Sequence, residues 1–291
     1  MSMPTTTRFK VTPNTVKRAA ARFLDVVGVN RAGHFIQKKL YGDFVRAVNY
    51  HAVAPEAAEL FEQHLQFYAR HFVSADVATL ERFLETGEWP YEKPGLILSF
   101  DDGLVSHFEV AAPLLEKYGF TGWFFVPIGL VDLKGAKGTA ARYMNGDQLK
   151  YLDGRHIVGS HTVNHVRLNK TRTTDELELE VAGSRKMLEE FLGHPVVSFC
   201  WVGGEEDTYS RPAADLVERN FRLGFMTNNA VITPSTCPLQ LQRTNIEAED
   251  PLWLVRFQLS GFMDVFYVGK RRRVNRLTAI SEHSVLNHSA R

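Results

Sequence analysis

At 291 residues, 44% hydrophobic and 23% charged, the chain reads as a globular protein of one large domain or two small ones, with material for a sizeable core. Cys200 and Cys237 are too few for a disulfide framework and lack the spacing of a zinc ribbon, and no run approaches the roughly 20 consecutive apolar residues of a membrane-spanning helix. The net charge of +1 is uneven: nine Lys/Arg against Asp25 and Asp43 give +7 over residues 1–50, six against Glu282 give +5 over 270–291, and the middle carries −11.

In chain order, the N-terminal stretch MSMPTTTRFKVTPNTVKR has no apolar core of a secretory leader, which sets a cytoplasmic location as the expectation. NTVKRAAARFLDVVG (14–28) has the pattern of an amphipathic helix capped by Asn14, with Val16, Ala20, Phe23 and Val27 on one face. FVRAVNYHAV (44–53) alternates in part, as a strand does, and PEAAELFEQHLQFYARHF (55–72) follows with helical spacing. GLILSF is a strand-type apolar run, EVAAPLLEKYG (109–119) a helix ended by Gly119, and TGWFFVP (121–127) a second apolar strand. GDQLKYLDG (146–154) is helical, HIVGSH (156–161) a strand, and TTDELELEVAGSRKMLEEFLG (173–193) the clearest helix. VVSFCWV (196–202), RPAADLVERNF (211–221) and FRLGFMTN (221–228) continue the alternation as strand, helix and strand. Alternating strands and helices predict an α/β architecture with a parallel sheet, either open or closed into a barrel.

The basic ends fit a solvated tail and an exposed helix face first, and an anionic surface such as membrane headgroups or a phosphate-bearing substrate as the alternative. Nothing in the sequence points to sequence-specific nucleic-acid binding. The expected organisation is an N-terminal helical extension over 1–43, a catalytic domain over 44–269 and a basic tail over 270–291.

Functional groups of a parallel α/β sheet gather at the carboxyl ends of its strands. Here those exits carry DDG after LILSF, HTVNH after HIVGS, and GGEEDTYS after SFCWV. Each string alone is weak, because Asp-Gly makes turns and paired histidines occur on surfaces. Together, one Asp and two His four residues apart can meet at a point and form a divalent-metal shell with positions left for water and substrate. Asp101 and Asp102 cannot point the same way along a strand, and Gly103 lets the chain turn at once, so a cation between the two carboxylates would remove their repulsion.

Ser99-Phe100-Asp101-Asp102-Gly103 and His161-Thr162-Val163-Asn164-His165, 59 residues from Asp102 to His161, resemble the first two motifs of the polysaccharide deacetylases of carbohydrate esterase family 4. The resemblance covers about residues 44–250 and implies a distorted (β/α) barrel preceded by the helical extension. It implies Asp102, His161 and His165 as ligands of one divalent metal, zinc first, with Co, Ni or Mn as alternatives. It further implies Asp101 as general base in hydrolysis of an N-acetyl group on an amino sugar. Thr162 either orients the histidine loop or makes a local backbone bond.

Two family features are missing. The third motif's Arg and aromatic-Pro pair are replaced by SFCWVGGEEDTYS, with Trp201-Val202 at the pair; Arg243 either supplies the missing charge or lies on the surface. Trp201, Glu205 and Arg243 are the expected substrate-side residues, although Glu205, Glu206 and Asp207 also read as a solvated run. The fifth motif's His, the general acid, is absent from PLWLVRFQLSGF (251–262); His51 is the substitute by position and His107 the weaker one. A nucleotide- or lipid-linked N-acetylated saccharide, with peripheral membrane contact, suits a cytoplasmic enzyme. The alternatives are a metal-containing carbohydrate-binding protein without activity, and a hydrolase of another C–N bond such as a formamide or cyclic amide.

Overall fold

The computed structural model describes residues 28–133 and 142–279, together with Arg22 and Asp25. Most of the helix expected over 14–28, with its Asn14 cap, lies outside the described residues. Helix α1 (Val29–Tyr41) leads into β1 (Val45–Tyr50), α2 (Ala58–His71), β2 (Val73–Ser74), α3 (Val77–Thr86) and β3 (Gly95–Phe100). A wide turn over His107–Ala111 opens α4 (Ala112–Lys117), followed by β4 (Gly122–Val126), α5 (Gly146–Asp153) and β5 (Ile157–Ser160). Helices α6 (Thr174–Glu178) and α7 (Ser184–Leu192) flank a second wide turn, Leu179–Gly183; β6 (Ser198–Cys200), α8 (Arg211–Asn220) and β7 (Leu223–Met226) follow. Two-residue strands β8 (Leu241–Gln242) and β9 (Thr244–Asn245) precede α9 (Leu252–Leu259) and α10 (Phe262–Leu277).

All strand pairs are parallel, in the order β8-β7-β6-β5-β4-β3-β1-β9, with β2 beside the first residues of β3. The two ends of that path are one stretch of chain. Leu241 and Gln242 pair with Phe225 and Met226 of β7, whereas Thr244 and Asn245 pair with Val48 and Asn49 of β1. Arg243, between them, donates its N–H to the Met226 carbonyl at 2.8 Å. The sheet thus curls into a nearly closed barrel, the expected architecture, with α1 ahead of it. The boundary expected at residue 270 falls inside α10.

Strand alternation divides the apolar residues into two layers. Inside the barrel, Val45, Ala47, Ile97, Trp123, Phe125, Cys200, Leu223, Phe225 and Leu241 pack as one cluster. Leu80, Phe83 and Trp89 belong to it, and Trp89 lies against Gly95 and Val45, so they plug the N-terminal mouth. A side chain on Gly159 would stand 2.6 Å from the Phe125 ring, so only glycine leaves room for that ring inside. Outside, Val48, Tyr50, Leu98, Phe100, Phe124 and Phe199 meet the helices. With the lower barrel filled by hydrocarbon, the polar inward residues Asn49, Ser99, Asp101 and Arg243 are confined to its C-terminal end.

Candidate active site

Asp101 follows β3 directly and continues its inward alternation from Ile97 and Ser99. Its carboxylate is 3% exposed and would be costly there alone. Arg243 answers it with Nη1 to Oδ1 at 2.7 Å and Nη2 to Oδ2 at 2.8 Å. The same guanidinium donates to Ser99 Oγ at 2.9 Å and to Cys200 Sγ at 2.8 Å, and stacks 5.5 Å from the Phe125 ring centroid. Burial pushes the Asp101 carboxyl up, but the guanidinium overrides it and holds the group well below the usual carboxylate range. Arg243 thus places a guanidinium directly against Asp101. It is 1% exposed and does not line the cleft, which corrects the expectation that it touches substrate and excludes a surface position.

The next residue turns away. Asp102 has φ 80°, a left-handed conformation unfavourable for a residue with a Cβ, and this rotates its carboxylate out of the strand pattern. Thr162 at φ 69° and His165 at φ 55° share that conformation, so the histidine loop coils tightly enough for both rings to reach Asp102. Asp102 Oδ1 lies 2.9 Å from His165 Nε2 and 3.6 Å from His161 Nε2. It is nevertheless buried without a hydrogen bond of acceptable geometry, despite the short approach of His165. The His161 ring donates Nδ1–H to the Cys200 carbonyl at 2.8 Å, leaving the Nε2 lone pair facing Asp102. Burial pushes His161 down; Asp102 pulls the half-exposed His165 up.

One carboxylate oxygen and two imidazole nitrogens within 4.8 Å of one another fit a single divalent metal. A second grouping, Asp101, His161 and Cys200, is equally compact, but the Arg243 guanidinium already supplies the positive charge between its acid and its thiol.

Glu180, in the wide turn between α6 and α7, holds the histidine loop from behind. Its carboxylate accepts the N–H groups of Val163 and Asn164 at 2.8 and 2.9 Å and the Asn164 side-chain amide at 2.7 Å. Thr162 Oγ1 accepts from Val166 N–H at 3.3 Å, so the local backbone bond and the orienting of the loop are one interaction. Sequence reasoning missed Glu180, since an acid inside an amphipathic helix carries no local mark of this role.

Asp101, Asp102, His161 and His165 form the floor of a cleft of about 710 Å³. His51, half-exposed at the exit of β1, lines it, with Nδ1 4.0 Å from Glu247. Trp201 lines it too, buried, its indole N–H without a partner among the described residues. Glu205 reaches Lys270 of α10 at 3.0 Å, and Met263, Tyr267 and Lys270 make α10 a cleft wall. His107 does not reach the cleft: fully buried, it donates Nε2–H to the His51 carbonyl at 2.6 Å, and burial pushes it down to about 4. It anchors the backbone of His51 and cannot meet a substrate.

Residues 90–220 match the sequence model described as polysaccharide deacetylase, an interval that includes the four floor residues but neither His51 nor Arg243. YxkH of Bacillus subtilis (strain 168), whose name assigns it to that family, is 26% identical over 139 residues, 47% of this chain and 46% of that protein. The aligned stretch thus spans about half the length of that relative. Among solved structures, the Streptococcus pyogenes deacetylase PplD in complex with acetate is 25% identical with a TM-score of 0.63, covering 74% of this chain and 98% of that one. IcaB from Ammonifex degensii, 22% identical with a TM-score of 0.62 over 77% of this chain and 98% of that one, shares the fold.

Proposed function

We propose that this chain, whose residues 90–220 match the polysaccharide deacetylase model, is a member of that family and removes the N-acetyl group from an amino sugar of a polysaccharide or its precursor, in the cytoplasm. The observation that carries this reading is Asp102 Oδ1, buried without a hydrogen bond where two imidazole Nε2 atoms converge on it. Asp102, His161 and His165 would hold one divalent ion; two nitrogens and a carboxylate suit zinc, with Co, Ni or Mn as alternatives. Such an ion, when bound, polarises an amide carbonyl and acidifies water.

The protein's own groups divide the proton traffic. Asp101, kept ionised and fixed by Arg243, retains lone pairs beyond the two used by the guanidinium and accepts the proton of the attacking water. The water oxygen adds to the carbonyl carbon, whose π pair moves to its oxygen; when that pair returns the C–N bond breaks, and His51 at the cleft wall gives a proton to the departing amine nitrogen. Acetate and an amino sugar leave. Trp201 and Glu205 line the cleft where a sugar ring and its hydroxyls would lie, whether the saccharide is free or carried on a nucleotide or lipid.

The test is metal content together with acetate release from an N-acetylglucosamine oligomer. Wild type is expected to bind about one metal and release acetate, Asp101→Asn to keep the metal without turnover, and His161→Ala to lose both. A metal-loaded wild type that releases nothing from acetylated, formylated or cyclic amide substrates would make the chain a binding protein.

A further inference from the structure

Helix α10 presents three faces. Met263, Tyr267 and Lys270 line the cleft, while Asp264 and Val274 are buried in the body. The third face looks outward: Phe262, Val265 and Phe266 are 38, 72 and 78% exposed, and Gly269, Arg272 and Arg276 continue the same helical stripe into exposed cations. The only acid of the helix is Asp264, buried in a bidentate pair with Arg46 at 3.0 and 2.7 Å. No negative charge therefore offsets the arginines on the outward stripe of this helix.

Helix α1 extends the face. Its Gln37 donates to the Leu259 carbonyl at 2.9 Å, at the end of α9, and accepts from Arg46, which holds α1 against the α9–α10 junction. On α1, Ile36 and Leu40 are 46 and 70% exposed, with Lys39 exposed between them.

Large apolar side chains in water on a helical stripe that continues into cations and carries no acid of its own are the composition of a helix that lies in a membrane interface. The position relative to the cleft adds a second argument. Phe262 precedes Met263 and Phe266 precedes Tyr267, so the outward apolar face and the cleft wall are one residue apart around the helix. Lys270 with Glu205 and Arg273 with Glu206, at 3.0 and 2.6 Å, fasten α10 to the loop after β6.

We infer that this face of α10 and α1 seats the protein on an anionic phospholipid surface, with the apolar side chains in the headgroup layer and the arginines on lipid phosphates. The cleft then opens beside the membrane, toward saccharides carried on lipid; this last step rests on the deacetylase reading, whereas the docking does not.

The experiment is co-sedimentation of the full chain with vesicles of phosphatidylcholine alone or mixed with phosphatidylglycerol. Wild type is expected to pellet with the anionic vesicles, less so in high salt. Val265→Ser/Phe266→Ser should weaken binding by about tenfold or more, and Arg272→Gln or Arg276→Gln by about fivefold each. Circular dichroism should be unchanged in all variants. A wild type that stays in the supernatant, or variants that pellet equally well, overturns the inference. So does a wild-type dimer in sedimentation velocity that Phe266→Ser splits, because the face then holds a second copy. Acetate release from a soluble oligomer, run in parallel, separates the two readings: vesicle binding without acetate release leaves docking standing and removes the deacetylase, and the converse result does the reverse.

Discussion

Arg243 grips Asp101 through both terminal nitrogens, across 142 residues of sequence, and is also the residue at which the chain passes from β8 to β9. The carboxylate proposed as the base is thus held by the segment that closes the barrel.

Removing the guanidinium leaves a carboxylate buried without its partner. Arg243→Met should cost about 3–5 kcal/mol of folding stability, whereas Asp101→Asn/Arg243→Met should recover a large part of that loss. Denaturant unfolding of all four corners of the cycle reads the coupling; costs that simply add would contradict the pairing. Arg243→Lys should not restore activity, since one ammonium nitrogen cannot reproduce the planar fork of two parallel N–H···O bonds.

Glu180 never meets the metal site directly, yet three donors of the histidine loop converge on it. Glu180→Ala should lower metal affinity about 10–100-fold, measured by competition with a chelator. Unchanged affinity in a folded variant would show that the loop does not depend on this carboxylate for its shape.

Stability should fall with acid through two buried histidines. Burial pushes both His64 and His107 down to about 4, from 6.5 in the unfolded chain. The unfolded state then takes up these protons first, so the contribution is complete above pH 6.5 and shrinks as pH falls toward 4, by roughly 1.4 kcal/mol per unit for each ring. His64 donates to the Asp250 carbonyl at 2.6 Å and accepts from Tyr50, so His64→Gln preserves hydrogen-bonding capacity without the titration. Unfolding free energies between pH 7 and 5 should show a shallower slope in that variant; an equal slope would assign the acid sensitivity elsewhere.

His51 is the cleft-lining imidazole proposed to protonate the amine. His51→Ala should lower kcat by about 10²–10⁴-fold while metal content stays at the wild-type level. A loss confined to KM would instead make it a substrate contact.

The legible parts of this protein are those written locally. GLILSFDDG and HIVGSHTVNH each hold a strand, its exit and its ligands in about ten residues, so the barrel and the floor of its site follow from short strings. Arg243 and Glu180 are different: each acts through contacts made only once distant segments are packed, and β8 and β9, two residues each, have no periodicity to find. Helix α10 escaped for another reason. Its outward Phe262, Val265 and Phe266 are as apolar as its buried positions, which blurs the helical pattern that burial would otherwise produce.

The junction at Arg243 also ties charge to closure. Burial pushes the Asp101 carboxyl up and the guanidinium beside it brings it down. That guanidinium stands between the two-residue strands that join β7 to β1. The stretch of chain that completes the sheet therefore also keeps the acid at its mouth ionised.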